Sequence, residues 1–172
     1  MRSRLLAAGV ALAALALGAS VAAAAKANFA GTWVLDLTRS EGLPPGFEQT
    51  VTITHEGDKL DLVIKQKTPQ GERTVNENFM LDGKTVDFKP QAPANPNAPQ
   101  PRNGKRTARW LPDGAGIEIV DTWDVDTPDG ADTMEMKRRW TVAADGKTFT
   151  AEQSFKGMLG LSQSKRTYVK QG

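Results

Sequence analysis

The chain has no cysteine, one histidine, one tyrosine and no serine in a Gly-x-Ser-x-Gly elbow. Each absence removes a class of chemistry. Without cysteine there are no disulfides, no thiolate catalysis, no cysteine-ligated zinc and no lipid-modified N-terminal cysteine. His55 alone cannot build a histidine zinc cluster, and without the elbow nothing marks a Ser-His-Asp hydrolase. Aspartates gather at Asp121, Asp124 and Asp126. Alternation along a strand sends Asp121 to one face and the other two to the opposite face, so the three do not gather on one cation. The residues offer no catalytic set, no metal site and no cofactor site, and the reading is a non-enzymatic protein.

The small positive charge is also an absence in disguise. The whole chain carries 22 basic and 20 acidic residues, net +2. Residues 1–27 read as an export signal: Arg2 and Arg4, an apolar run over 5–21, then Ala23-Ala24-Ala25 or Ala25-Lys26-Ala27 as the cleavage tripeptide. The run is slightly short for a membrane span. Removing 1–27 takes away Arg2, Arg4 and Lys26 and no acid, which leaves 19 basic against 20 acidic groups, net −1. Nothing then points to nucleic acid. Residues 28–172 are predicted to form one periplasmic or secreted domain with no membrane span after cleavage. No protein partner is identifiable.

What fills that domain is strands and turns. Turn signals stand at Gly57, in Glu56-Gly57-Asp58, and as Asp-Gly or Pro-x-Gly at Gly71, Gly83, Gly114, Gly130 and Gly146. Between them apolar residues recur with period two: Val51, Ile53 and His55; Leu60, Leu62 and Ile64; Val75, Glu77, Phe79 and Leu81; Val86 and Phe88; Ile117 to Val125; Met134 to Val142; Phe149 to Phe155. The pattern predicts an all-β fold, a single antiparallel up-and-down barrel of eight to ten strands, because closure removes exposed edges. A sandwich and a concave open sheet are the alternatives. Two segments break the rhythm. Prolines 90, 93, 96, 99 and 101 mark a loop over 90–104. Pro44-Pro45 makes residues 38–46 irregular, with one helical turn at most.

Phe29-Ala30-Gly31-Thr32-Trp33 at one end and Lys165-Arg166-Thr167-Tyr168 at the other resemble the first and last strands of the lipocalin and fatty-acid-binding protein superfamily, the calycins. The chain also looks like small exported bacterial proteins with a lipocalin-like domain. The resemblance implies a barrel whose Gly-x-Trp indole plugs the base. In fatty-acid-binding proteins an Arg-x-Tyr pair reaches the ligand carboxylate, which puts Arg166 and Tyr168 in that role. In lipocalins an arginine of the last strand instead covers the indole, which would place Arg166 over Trp33. The helical lid of fatty-acid-binding proteins has no counterpart, since 38–46 is too short.

Five polar residues interrupt the apolar faces: Glu77, Asp121, Arg138, Gln153 and Arg166. If those faces point inward, the charges must meet each other, water or a ligand. Two readings follow. In one, Arg138, Arg166 and Tyr168 hold the anionic head of a small amphipathic ligand. In the other, Arg138 pairs with Asp121 and the barrel is a filled structural or protein-interaction module of the cell envelope. Trp33, Trp123 and Trp140 fall in core registers, and Trp110 fits either core or mouth. His55 reads as a structural residue at a strand end.

Overall fold

Alternating apolar and polar residues, cut by glycine turns, form ten antiparallel strands in the computed structural model, which describes residues 26–90, 100–128 and 130–172. They are β1 (Gly31–Glu41), β2 (Glu48–Glu56), β3 (Lys59–Thr68), β4 (Gly71–Met80), β5 (Asp82–Phe88), β6 (Pro101–Trp110), β7 (Gly116–Thr127), β8 (Gly130–Val142), β9 (Thr148–Gly157) and β10 (Gly160–Lys170). Their hydrogen-bonded order is β4-β3-β2-β1-β10-β9-β8-β7-β6-β5. Every ladder joins sequence neighbours except β1–β10, where Trp33 stands opposite Lys170 and Leu35 opposite Tyr168. β4 and β5 end the order, and among the described residues no ladder joins them. The result is an up-and-down barrel, closed by backbone everywhere but at the β4–β5 seam. This is the barrel that the alternation predicted; the sandwich and the open sheet are excluded.

Most of the predicted signal, 1–25, and residues 91–99 of the proline-rich loop lie outside the described residues. Lys26 and Ala27 are described and belong to the barrel. The Ala27 N–H donates to the Gly114 carbonyl at 2.8 Å, and the Lys26 ammonium lies 2.7 Å from Asp58. The predicted loop is shorter at its far end, because Pro101 opens β6. A proline is tolerated at the first strand position, and the register shifts between Pro101 and Gly104.

One end of the barrel is packed with aromatic rings. Phe29, Trp33, Phe79 and Phe149 are buried there, with Trp140 beside them. The Trp33 indole N–H donates to the Phe29 carbonyl at 2.8 Å, so its polar edge is satisfied inside the core. The glycine of Gly-x-Trp has a specific task. Gly31 has φ +131°, and a Cβ there would lie 2.6 Å from Cε of Lys170. Its bareness lets the Lys170 ammonium sit 5.2 Å above the Trp33 ring. Lys170, not Arg166, therefore covers the indole. The β1–β10 register decides this, since Lys170 is the residue directly opposite Trp33.

Residues 38–46 also differ from expectation. β1 continues through Glu41, with an irregularity between Asp36 and Glu41 that has no helical turn. Short polar side chains replace the missing ladder bonds. The Asp36 carboxylate accepts from the Thr38 hydroxyl at 2.6 Å, from the Thr38 N–H at 3.0 Å and from Arg39 Nε at 2.7 Å. The Ser40 hydroxyl donates to the Asp36 carbonyl at 2.6 Å and accepts from the Thr167 N–H at 3.0 Å. The Thr38 hydrogen bond first, and the Arg39 guanidinium second, hold the Asp36 carboxyl at about 2, below its ordinary 3.8. A carboxyl lowered in the folded state adds stability above its ordinary value and loses it as pH falls through the folded one. The amide protection of Thr38 is accordingly expected to persist at pH 4 and to fall as pH approaches 2, read by NMR titration. Asp36→Asn should abolish that dependence; an Asp36 carboxyl titrating near 4 would refute it.

Candidate functional site

Beyond the aromatic end, the inward positions of the strands turn polar. They are Gln49 on β2, Gln66 on β3, Arg73 and Glu77 on β4, Arg106 on β6, Asp121 on β7, Arg138 on β8, Gln153 on β9, and Arg166 and Tyr168 on β10. All but Arg106 and Asp121 line a cavity of about 190 Å³, whose apolar walls are Val51, Leu62, Ile64 and Val75, with Trp140 and Phe149 at its floor. A wider cleft of about 950 Å³ runs along the β4–β5 seam past Asn76, Phe88, Arg106 and Trp123. Arg73, Val75, Glu77, Met136 and Arg138 line both spaces, so the two share a wall.

Two arginines in this interior are matched by two carboxylates. The Asp121 carboxylate, with its side chain only 4% exposed, accepts Arg106 Nε at 2.6 Å and Arg106 Nη2 at 2.8 Å. It also accepts Arg138 Nη2 at 2.6 Å, while Arg138 Nη1 donates to Glu77 at 2.9 Å. The Arg106 guanidinium lies over the Phe79 and Phe88 rings, 4.9 and 4.5 Å from their centres. Four side chains from β4, β6, β7 and β8 thus form one network, and Glu77 ties β4 to the far side of the seam.

Arg166 is treated differently. Its Nη1 donates to the Gln49 side-chain oxygen at 3.3 Å, and its guanidinium sits 5.4 Å from the centre of the Phe47 ring. Its Nε, like that of Arg138, is buried with no hydrogen-bond partner, but among the described residues no carboxylate reaches any of its nitrogens. Tyr168, two residues on, lies flat on Phe149 with centroids 4.4 Å apart and 6° between planes. Its hydroxyl donates to the same Gln49 oxygen at 2.5 Å. Burial pushes the phenol above its ordinary 10, against the opposing pull of Arg166, so Tyr168 stays a donor.

The three residues singled out from the sequence, Arg138, Arg166 and Tyr168, therefore border one cavity. Arg138 is engaged with Asp121 and Glu77, whereas Arg166 and Tyr168 converge on Gln49. Arg106 and Gln49 escaped the sequence reading, although both carried a signal. Arg106 is in phase with Ala108 and Trp110, and Gln49 with Val51 and Ile53, one step before the apolar run begins.

The remaining candidates find structural places. His55 lies at the packed end, where its Nδ1 accepts the Phe29 N–H at 3.3 Å and its Nε2 pairs with the Gly57 carbonyl at 3.0 Å, which assigns the proton to Nε2. Trp110 joins that end, its indole N–H donating to Asp58 at 2.8 Å. Trp123 is half-buried beside the cleft, stacked on Phe155. Asp124 and Asp126 face outward, bonded to Thr133 and Arg102. Among the described residues no three His, Cys, Asp or Glu side chains gather to hold a metal. Lys137 faces outward on a Glu118 shared with Arg109, and the Lys137 contact chiefly holds that carboxyl below its usual range.

No protein-family model matches the chain. No curated protein matches it by sequence. Among solved structures the chain is similar to the zebrafish ileal bile acid-binding protein complexed with cholic acid, at 17% identity, over 83% of this chain and 98% of that one, with a TM-score of 0.48.

Proposed function

We propose that this protein binds a small amphipathic molecule with one anionic head, the head held at Arg166 and Tyr168 and the apolar part running from the cavity into the seam cleft. The observation that carries this reading is the unmatched charge of half-buried Arg166, in a barrel that gives Arg106 and Arg138 two carboxylates and leaves Arg73 exposed to solvent on Gln66. A desolvated cation without a counter-charge is unfavourable, and a guanidinium fork suits a carboxylate. Arg138 then borders the head and holds the wall, through Glu77 and Asp121. The cavity alone falls below the roughly 300–1,000 Å³ usual for ligand pockets, which is why the shared cleft belongs to the site. The cavity lining contains donors, amides, apolar groups and one carboxylate, Glu77, which is held by Arg138, but no nucleophile–base pair, so the reading is binding rather than turnover.

Export rests on the N-terminal signal. Cleavage after Ala25 would keep the Lys26 and Ala27 contacts with the barrel, and cleavage after Ala27 would remove them. The envelope interaction module is the second reading. It draws on the exposed Met158, Leu159 and Leu161 at the β9–β10 tip.

Calorimetric titration of the 26–172 chain with sodium decanoate, beside decan-1-ol, tests the binding reading. Arg166→Ala is expected to weaken decanoate about tenfold or more and decanol little, since a charge-assisted contact is worth about 1.5–3 kcal/mol. The variant should keep the wild-type unfolding midpoint within a few degrees. A variant that unfolds makes Arg166 a structural residue. Unchanged decanoate affinity places the head elsewhere, and no uptake of decanoate by the wild-type chain turns the choice to the interaction module.

A further inference from the structure

We infer that the Gln49 side chain is a place-holder for the ligand's anionic oxygen, so that binding exchanges Gln49 for the ligand at Arg166 and Tyr168. The inference rests on the reading of those two residues as the head-group site. Gln49 is 5% exposed on β2, and its side-chain oxygen receives the Tyr168 hydroxyl and the Arg166 Nη1 together. Two donors from alternate residues of one strand converge on a single oxygen. That is the arrangement a carboxylate oxygen requires, filled here by a neutral amide. The amide satisfies the phenol but brings no charge to Arg166, whose Nε stays without a partner. A carboxylate in its place supplies a full charge and a second acceptor.

The exchange makes Gln49 a specificity-determining residue. An alcohol or amide head would replace one neutral acceptor by another and gain nothing from the exchange. An anion gains the charge interaction, and only it displaces the internal amide with profit. The closed form with Gln49 on both donors also lowers the apparent affinity of every head group by the fraction of molecules so occupied. Gln49 thus keeps Arg166 solvated by an internal dipole while the site is empty, and sets a threshold that neutral molecules do not pass.

Two measurements on the 26–172 chain separate this inference from the reading beneath it. The first needs no ligand. Gln49→Glu puts the missing charge at the position of the amide oxygen, and its thermal midpoint at pH 7 is expected to rise by roughly 3 °C or more. The rise should fade in acid as the introduced carboxylate takes up a proton. An unchanged or lowered midpoint overturns the place-holder. The second is titration with decanoate and decan-1-ol. Gln49→Glu is expected to lose decanoate affinity about tenfold or more while decanol changes less than threefold, and Gln49→Ala to bind decanoate a few-fold more tightly than wild type. Loss of decanoate by Gln49→Ala to the extent seen for Arg166→Ala would make Gln49 a ligand contact and overturn the exchange. A stabilised Gln49→Glu beside a wild-type chain that takes up no decanoate would instead sink the head-group reading, and leave Gln49 as the internal acceptor of an unmatched arginine.

Discussion

Asp121→Ala is expected to destabilise the protein by roughly 3–5 kcal/mol, the loss seen when one partner of a buried ion pair is removed. Asp121 is the centre of the network, with three hydrogen bonds from two guanidiniums. Its removal leaves Arg106 and Arg138 side by side with only Glu77, itself partly exposed, to offset two charges. Neither cation can turn to water without leaving the apolar surfaces it covers, since Arg106 lies over Phe79 and Phe88 and Arg138 over Phe79. Asp121→Asn keeps the volume and one acceptor but no charge, and should fall between wild type and alanine. The check is urea unfolding, with the midpoint lowered and the slope unchanged. A shift below about 1 kcal/mol would place Asp121 among ordinary surface ion pairs and refute the buried network.

Phe149→Ala should cost about 3–5 kcal/mol by a different route, the combined loss of transfer free energy and packing around a large buried ring. Phe149 is 1% exposed and stands edge-on to Trp33 with centroids 5.3 Å apart, against Trp140 at 5.6 Å and flat against Tyr168. Aromatic pairs of this kind add about 0.5–1.5 kcal/mol each beyond burial. The ring is also the surface on which Tyr168 lies, between the packed end and the cavity. Removing it should therefore lower decanoate affinity as well as stability, although Phe149 carries no polar group to hold a head. A variant destabilised to this extent that binds decanoate like wild type would show that Tyr168 is held by Gln49 alone.

These two residues mark what was legible in the sequence. Phe149 was readable because period two survives along its whole strand, and the same holds for Ile117 to Val125 and Met134 to Val142. Asp121 and Arg138 were readable as exceptions within an otherwise apolar face, and their pairing followed from the expense of burying either alone. What period two does not carry is register. Lys170 lies opposite Trp33 in a β1–β10 register that runs unbroken from Trp33 to Asp36, and beyond it Thr167 meets Ser40 and Arg39 through groups that look like surface residues in the sequence. The same limit hid Gln49. An isolated glutamine before an apolar run reads as the polar end of a strand, and only folding brings Tyr168, 119 residues away, onto its oxygen. Val86 fits its face by phase yet stays exposed, because β5 is the last strand of the sheet and no ladder covers its free side.

The missing ladder has a consequence for chain entropy. β1–β4 and β5–β10 are each meanders in which every strand pairs with its immediate successor, so each can form through short-range closures. The two meanders are covalently continuous at β4–β5, where among the described residues no ladder joins them, and hydrogen-bonded at β1–β10. The ring is thus made once by a peptide link and once by pairing. Among the ladders of the described residues, only β1–β10 spans the whole domain, a closure whose entropic cost grows as the logarithm of its length to about 4 kcal/mol. The chain spends that loss on a single event, the meeting of its two ends.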